Sequence, residues 1–191
     1  MRQVWHRQTV PYEPPPDLAG LSLTELAEAV AARQLPPVTA WTPEHVGESA
    51  MRIAGDGSWW HEGSRINRPA MVRAFSSLLF RDDEGQHWLV TPQQKLAIAV
   101  EDAAFLAVDC ASRDGVLAFR LNTDEVVMAD SAHPLHARGT TDIPAIYLSV
   151  RNGCEARLDR STWLQLAAIA LDQGDGSTVA SGGVRFPLMP A

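Results

Sequence analysis

Cysteine is scarce: Cys110 and Cys154 are the two in 191 residues. That is too few for a disulfide framework, and no C-x-x-C pair is present. A reducing compartment is the simpler expectation, so the reading is a cytoplasmic protein. A basic surplus is also missing. Sixteen basic side chains face 23 acidic ones, a formal charge of −7, which argues against a nucleic-acid partner because displacing counterions from phosphates needs a basic footprint. No stretch approaches the roughly 18 to 20 apolar residues that span a bilayer, so no membrane partner is expected. The opening MRQVWHRQTVPYEPPPD has no apolar core of a signal peptide. Phosphate loops are absent too, since neither a Walker A motif nor G-x-G-x-x-G occurs and Gly55-Asp56-Gly57 reads as a turn. The nucleophile elbow G-x-S-x-G is not completed, since Gly47-Glu48-Ser49-Ala50 is followed by Met51 where the second glycine is needed. No cofactor is expected.

What is present is enough apolar material, 46% against 20% charged, to fold as one domain or two small packed ones. Residues 1–20, with Pro11, Pro14, Pro15 and Pro16, read as a flexible segment. Ser22 and Glu25 form a capping box for a helix whose face carries Leu23, Leu26, Ala27 and Val30, ended by Pro36 and Pro37. Residues 173–191, rich in Gly, Ser and Pro, read as a flexible tail. Between them the pattern is α+β. Short strands are expected at 51–53, 58–61, 87–90, 96–100, 105–108, 116–121, 126–128 and 146–150, with helices at 69–80 and 160–171. No helix separates the strands from Leu96 to Leu158, which excludes a doubly wound parallel sheet. Two β-rich subdomains follow, 21–108 with the N-terminal helix and 109–172, each holding a hairpin and a helix. INRPAMVRAFSSLL at 66–79 and LDRSTWLQLAAIAL at 158–171 align at an offset of 92, pairing Ile66 with Leu158 and Arg68 with Arg160. A hairpin and one helix cannot bury their apolar faces alone, so a second copy supplies the missing layer.

MRIAGDGSWWHEGSRINRPAMVRAFSSLL, WLVTPQQKLAIAVEDAAFLAV, the HPL at 133–135 and the segment 149–171 occur in an order that resembles the bacterial DUF1285 family of uncharacterised proteins, over residues 36–172. Trp41-x-Pro43 with Gly47 fits the same pattern. The resemblance implies an α+β fold with repeated motifs and a role near signal transduction, and it transfers no catalytic residue. Ala104 stands where the family usually has Pro, and His136 where it tends to have Arg.

Five residues are candidates for ligand or partner contact: Trp59, Trp60, His61, Arg68 and Arg160. Adjacent strand residues face opposite ways, so one tryptophan enters the core and the other needs a cover or forms a platform. Asn67 and Asp159 suit the N-cap, which puts Arg68 and Arg160 in first helical turns, where the dipole disfavours a cation. Each guanidinium is therefore expected to reach an acceptor outside its helix, worth roughly 1 to 3 kcal/mol if partly buried. Asp130, His133 and His136 have ligand types and spacing for a metal, but Pro134 interrupts the face and no fourth ligand is evident, so no metal is expected. Cys154 reads as a small hydrophobe. With no connected catalytic constellation, the leading reading is a non-enzymatic binding or regulatory protein for an unidentified protein or small molecule. Two alternatives stand beside it. One is a small hydrolase joining His61, His87 or His133 to a carboxylate. The other is a structural or assembly subunit, in which a homo-oligomer covers unpaired strand edges.

Overall fold

The computed structural model describes residues 35–190 together with Gly20, Ser22, Thr24, Glu25, Ala27 and Glu28. The first 19 residues, and the apolar positions Leu23, Leu26 and Val30, lie outside the described residues. Within them the capping box is formed: the Ser22 amide donates to Glu25 Oε2 at 2.8 Å, and the Glu25 amide to Ser22 Oγ at 3.3 Å.

The first sheet contains β1 (His45–Ile53), β2 (Trp59–His61), β3 (Ser64–Arg65), β4 (Leu79–Arg81), β5 (His87–Val90) and β6 (Gln94–Val100), with α1 (Pro69–Ser76) between β3 and β4. The second contains β7 (Phe105–Arg113), β8 (Val116–Leu121), β9 (Val126–Met128), β10 (Leu135–Gly139), β11 (Pro144–Arg151) and β12 (Cys154–Leu158), followed by α2 (Arg160–Gln173). A hairpin of β13 (Thr178–Ser181) and β14 (Val184–Pro187) ends the order.

The first sheet runs β3-β2-β1-β6-β5-β4 and the second, read in the matching direction, β9-β8-β7-β12-β11-β10. Each is two antiparallel triplets fused through one parallel pair, β1 with β6 and β7 with β12. The fold is thus α+β with two similarly organised six-stranded sheets, each accompanied by a helix. The strand orders match at an offset of six strands, so β7 corresponds to β1. At that offset α1 lies inside the first half and α2 after the second, so the 92-residue alignment of the helices is not the one that the sheets follow.

Local chemistry explains the elements. Asp114-Gly115 joins β7 to β8 and Asn152-Gly153 joins β11 to β12, each a two-residue loop with positive φ at both positions, as primed hairpin turns demand. Pro69 opens α1 at N1, and the helix stops at Ser76 rather than near Phe80. There Ser76 and Ser77 hydroxyls donate to the carbonyls of Arg73 and Ala74, bonds that serine offers in place of helix continuation. Leu79, fully buried, is released into β4 opposite Leu89. Asp159 caps α2, its Oδ1 accepting from the Thr162 amide at 2.8 Å.

One apolar core runs through both halves. Ile53, Trp59, Leu79 and Ile98 of the first sheet join Phe105, Phe119, Leu121, Ile146 and Leu148 of the second. The chain passes between sheets at Glu101–Ala104. That is ahead of the boundary expected after residue 108, because Phe105–Arg113 is one continuous strand. The segment after Gln173 is not an idle tail. Val179, Phe186 and Leu188 are buried, and the Ser181 hydroxyl donates to the Ala129 carbonyl while accepting from the Leu117 amide. Its glycines turn a hairpin; they do not loosen it.

Turns lock the halves to each other. A Cβ on Gly57 would stand 2.8 Å from Asn122 Nδ2 and 2.9 Å from Leu106 Cδ1, so only glycine lets the β1–β2 turn sit on the second half. Reciprocally, a Cβ on Gly153 would meet the Arg81 carbonyl oxygen at 2.5 Å, and the Arg81 amide donates to the Asn152 carbonyl at 2.8 Å. Beside that turn Arg151 pairs with Glu125, both about nine-tenths buried, donates to the Ser76 carbonyl at 3.0 Å and lies 4.8 Å from the Phe105 ring centroid.

Two expected outcomes follow from these contacts. Arg151→Met removes the buried ion-pair partner of the Glu125 carboxylate and lowers unfolding stability by roughly 3 to 5 kcal/mol. Adding Glu125→Leu recovers much of the loss, as urea midpoints of the two variants would record. Phe186→Ala costs about 3 kcal/mol or more by the same measurement, whereas an idle tail would tolerate it.

Candidate functional site

The two tryptophans of β2 divide as strand alternation requires. Trp59 is 1% exposed and stacks on Phe75 of α1, with ring centroids 6.3 Å apart. Its Nε1 has no hydrogen-bond partner among the described residues. Trp60 is half-buried on the opposite face, where its Nε1 donates to Ser58 Oγ at 2.9 Å and the Arg52 guanidinium lies 5.2 Å from its ring. Arg52 is held in turn by Glu101, whose carboxyl is kept below its usual range chiefly by the Gly55 amide and then by Arg52. His61, at the end of β2, is exposed.

The same outer face carries a second aromatic and cationic group that the sequence reading missed. Register places Trp88 beside Ala97 and Phe80 beside Trp88. Lys95 lies 4.2 Å from the Trp88 ring and 5.5 Å from the Phe80 ring, within cation–π range. The alternation of Lys95, Ala97 and Ala99 in β6 was the available signal.

Arg68 and Arg160 overturn the expectation attached to them. Both are exposed, and among the described residues neither guanidinium makes an ion pair or hydrogen bond. They are also not equivalent. Arg68 is itself the N-cap residue of α1, because Pro69 takes N1, whereas Arg160 is the first helical residue of α2 behind Asp159. In solvent the dipole penalty on a cation is only a few tenths of a kcal/mol, so no compensating acceptor is required.

The histidines are scattered. His133 Nδ1 is 3.2 Å from Asp130 Oδ1 on a loop where both residues are half-buried, and that oxygen also accepts the amides of Ala132 and His133. His136 turns instead to Ser149 Oγ at 3.1 Å. His87 does line a cleft, with Asp102 and Glu155, but makes no hydrogen bond to either carboxylate. Both thiols are buried, and desolvation pushes Cys154 up to about 12 and Cys110 up as well, away from the nucleophilic thiolate.

A cleft of about 300 Å³ opens where the halves meet. The first half supplies Ser58, Trp59, Arg65, Ile66, Asn67 and Val72; the second supplies Asn122 and Asp124. Asn122 is fixed from both sides, its Oδ1 accepting from the Leu106 amide and its Nδ2 reaching the Gly57 carbonyl at 3.4 Å. Arg73 and Asp124 pair across the cleft at 3.0 Å. Arg65, exposed on the rim, has no ion pair among the described residues. Ser58 Oγ is committed to Asp56 at 2.6 Å, so it is not poised as a nucleophile. The arrangement offers amide and guanidinium donors above an apolar floor.

Fold and site together define a class: an α+β protein of two like six-stranded sheets with a polar cleft at their junction. The chain belongs to the bacterial DUF1285 family. Residues 36–103 match the model described as Domain of unknown function (DUF1285), N-terminal domain, and residues 104–188 match Protein of unknown function (DUF1285), C-terminal domain. The two matches meet where the chain crosses between sheets. A DUF1285 family protein from Silicibacter pomeroyi DSS-3 of solved crystal structure is 36% identical, with 87% of this chain and 95% of that chain covered at a TM-score of 0.72. Another from Shewanella baltica OS155, 22% identical over 63% of this chain and 91% of that one, shares the fold at 0.52. No curated protein matches the chain.

Because both arginines stand in solvent, Arg68→Met and Arg160→Met are each expected to change stability by less than about 0.5 kcal/mol. A loss of 1 kcal/mol or more in thermal denaturation would contradict their placement in solvent.

Proposed function

We propose that this chain is a non-enzymatic binding protein whose ligand sits in the junction cleft, and that occupancy of the cleft is regulatory, in keeping with a cytoplasmic role near signal transduction. The observation that carries the reading is that both halves wall the cleft. A ligand there is bordered by residues of the β1–β2 turn, α1 and the β8–β9 turn, so it strengthens the docked arrangement of the halves against local opening. The donors Arg65, Asn67 and Asn122 outnumber the free acceptors, because the Asp124 carboxylate is engaged by Arg73. Ile66, Val72 and Pro69 add apolar surface. A small organic anion with an apolar portion fits this lining. The two free, buried cysteines accord with a reducing compartment.

The hydrolase alternative has two points of attachment: the His133–Asp130 contact, on a loop where Asp130 already accepts two amides, and the cleft of His87, Asp102 and Glu155. Both acids there are engaged elsewhere, Asp102 by Tyr147 and Arg157 and Glu155 by Arg138, which favours the binding reading.

The test is a thermal-shift screen of small carboxylates and phosphorylated metabolites. A ligand at 100 times its Kd adds about 2.7 kcal/mol, which for a chain of this size is about 5 to 10 °C. The expected hit loses most of that shift in Arg65→Met and in Val72→Trp, the second chosen to fill the cleft. Hits whose shifts survive both substitutions would overturn the assignment of the site.

A further inference from the structure

A second cleft, of about 180 Å³, lies on another part of the junction, lined by Arg81, Gly85, His87, Asp102, Ala103, Ala104, Arg138 and Glu155 among others. Arg81 of β4 and His87 of β5 are cross-strand partners and project from the same face of the first sheet. Both are half-buried. Directly opposite cross-strand residues have their side chains close together, so Arg81 disfavours the charged form of His87 and the two present a guanidinium and an imidazole side by side.

The nearby carboxylates are spoken for. Asp102 Oδ1 accepts from the Tyr147 hydroxyl and Oδ2 from Arg157, both at 2.7 Å. Glu155 Oε1 accepts from Arg138 at 2.6 Å, and Arg138 in turn stacks 4.4 Å from the Tyr147 ring centroid. Asp82 accepts the Trp88 indole N–H on the far face and the Gln86 amide. Arg81 is left with no ion pair among the described residues. Its guanidinium lies against Gly85, where a Cβ would stand 3.2 Å from Nη2, so the glycine turn leaves room for it at the cleft mouth. Nothing in the fold requires an unpaired guanidinium and an imidazole at adjoining register positions.

We infer that the Arg81–His87 cleft is a binding site for a small oxyanion, separate from the junction cleft of the proposed function, with the guanidinium fork and the imidazole as its donors. A guanidinium offers two parallel N–H groups to an oxyanion, and the imidazole adds a third donor from the neighbouring strand. An anion held between them offsets the Arg81 charge and lets the imidazole take up a proton beside it.

The site carries its own pH signature. In the free protein burial holds the His87 pKa below its usual value; the Arg81 charge adds to this, and Asp82 and Glu155 oppose it. Asp102 and Arg138 complete the charged groups facing the ring. A bound oxyanion favours the imidazolium, so binding takes up a proton and tightens as pH falls.

Sulfate is the first probe because its charge does not change over the range tested. Calorimetric titration at pH 5.5 and 8.0 is expected to show at least tenfold tighter binding at the lower pH. His87→Gln should abolish that pH dependence, isolating the imidazole from every other titrating group, and Arg81→Met should weaken binding at least tenfold at both. Parallel titrations with inorganic phosphate and acetate distinguish a phosphate ligand from a carboxylate one. Should Arg81→Met fold poorly, the histidine resonances of the unaltered protein give the same answer: saturating sulfate is expected to raise the His87 titration midpoint by well over about one pH unit, as a tenfold linkage requires. An unmoved midpoint, or sulfate affinity equal in the wild type and His87→Gln at pH 5.5, would overturn the site.

Discussion

The ion pair of Arg151 with Glu125 is the constraint on which the arrangement of the two halves rests. Both side chains are about nine-tenths buried, and a buried charge is tolerated only when its partner and its remaining hydrogen bonds are in place. Arg151 meets most of that condition through Glu125 and, across the junction, through the Ser76 carbonyl at the end of α1, leaving its Nε without a hydrogen-bond partner among the described residues. The end of the first helix, the β8–β9 turn and the last hairpin of the second sheet are therefore fixed relative to one another. Asn152, the next residue, then binds the β4 edge through both its carbonyl and its side-chain amide. An edge strand that would otherwise offer free main-chain groups is thereby covered within the molecule.

Around that junction the sheets are built alike. Each joins two antiparallel triplets through a parallel pair, a topology in which first and last strands lie side by side at the centre. The strands between them form hairpins closed by short turns, so no long crossover helix is needed within either triplet. The helices are fitted differently: α1 fills the space beside Trp59 within the first half, and α2 packs on β7 after the second sheet is complete. A likeness between two amphipathic helices is a weaker guide to duplication than strand order, because any helix covering a sheet needs an apolar face with the same spacing.

The clefts are consequences of the same docking. Turns that penetrate the opposite half at Gly57 and Gly153 hold the sheets together and leave gaps beside them, one around Arg65 and Asn122 and one around Arg81 and His87. Both gaps combine residues far apart in sequence, and in both the acidic groups are already engaged while a guanidinium is left over. On a chain with a net charge of −7, such places leave a guanidinium open to a small anion.

The sequence by itself determined the local and periodic features. Composition and strand spacing implied an α+β fold in two β-rich parts. Alternation in β2 put one tryptophan inside and the other outside, and Ser22 with Glu25 formed the capping box that their spacing announced. These depend on neighbours a few residues apart, where backbone geometry leaves little choice. Tertiary structure alone decided the rest. It turned the Gly- and Ser-rich end into a hairpin because Val179 and Phe186 found a sheet to cover, and it ended α1 early because Leu79 had a strand to join. It also left Arg68 and Arg160 in solvent while burying Arg151, which no local pattern marked. Which cation is buried is settled by what lies opposite it in space, and residues 76, 125 and 151 become neighbours only after both sheets have formed.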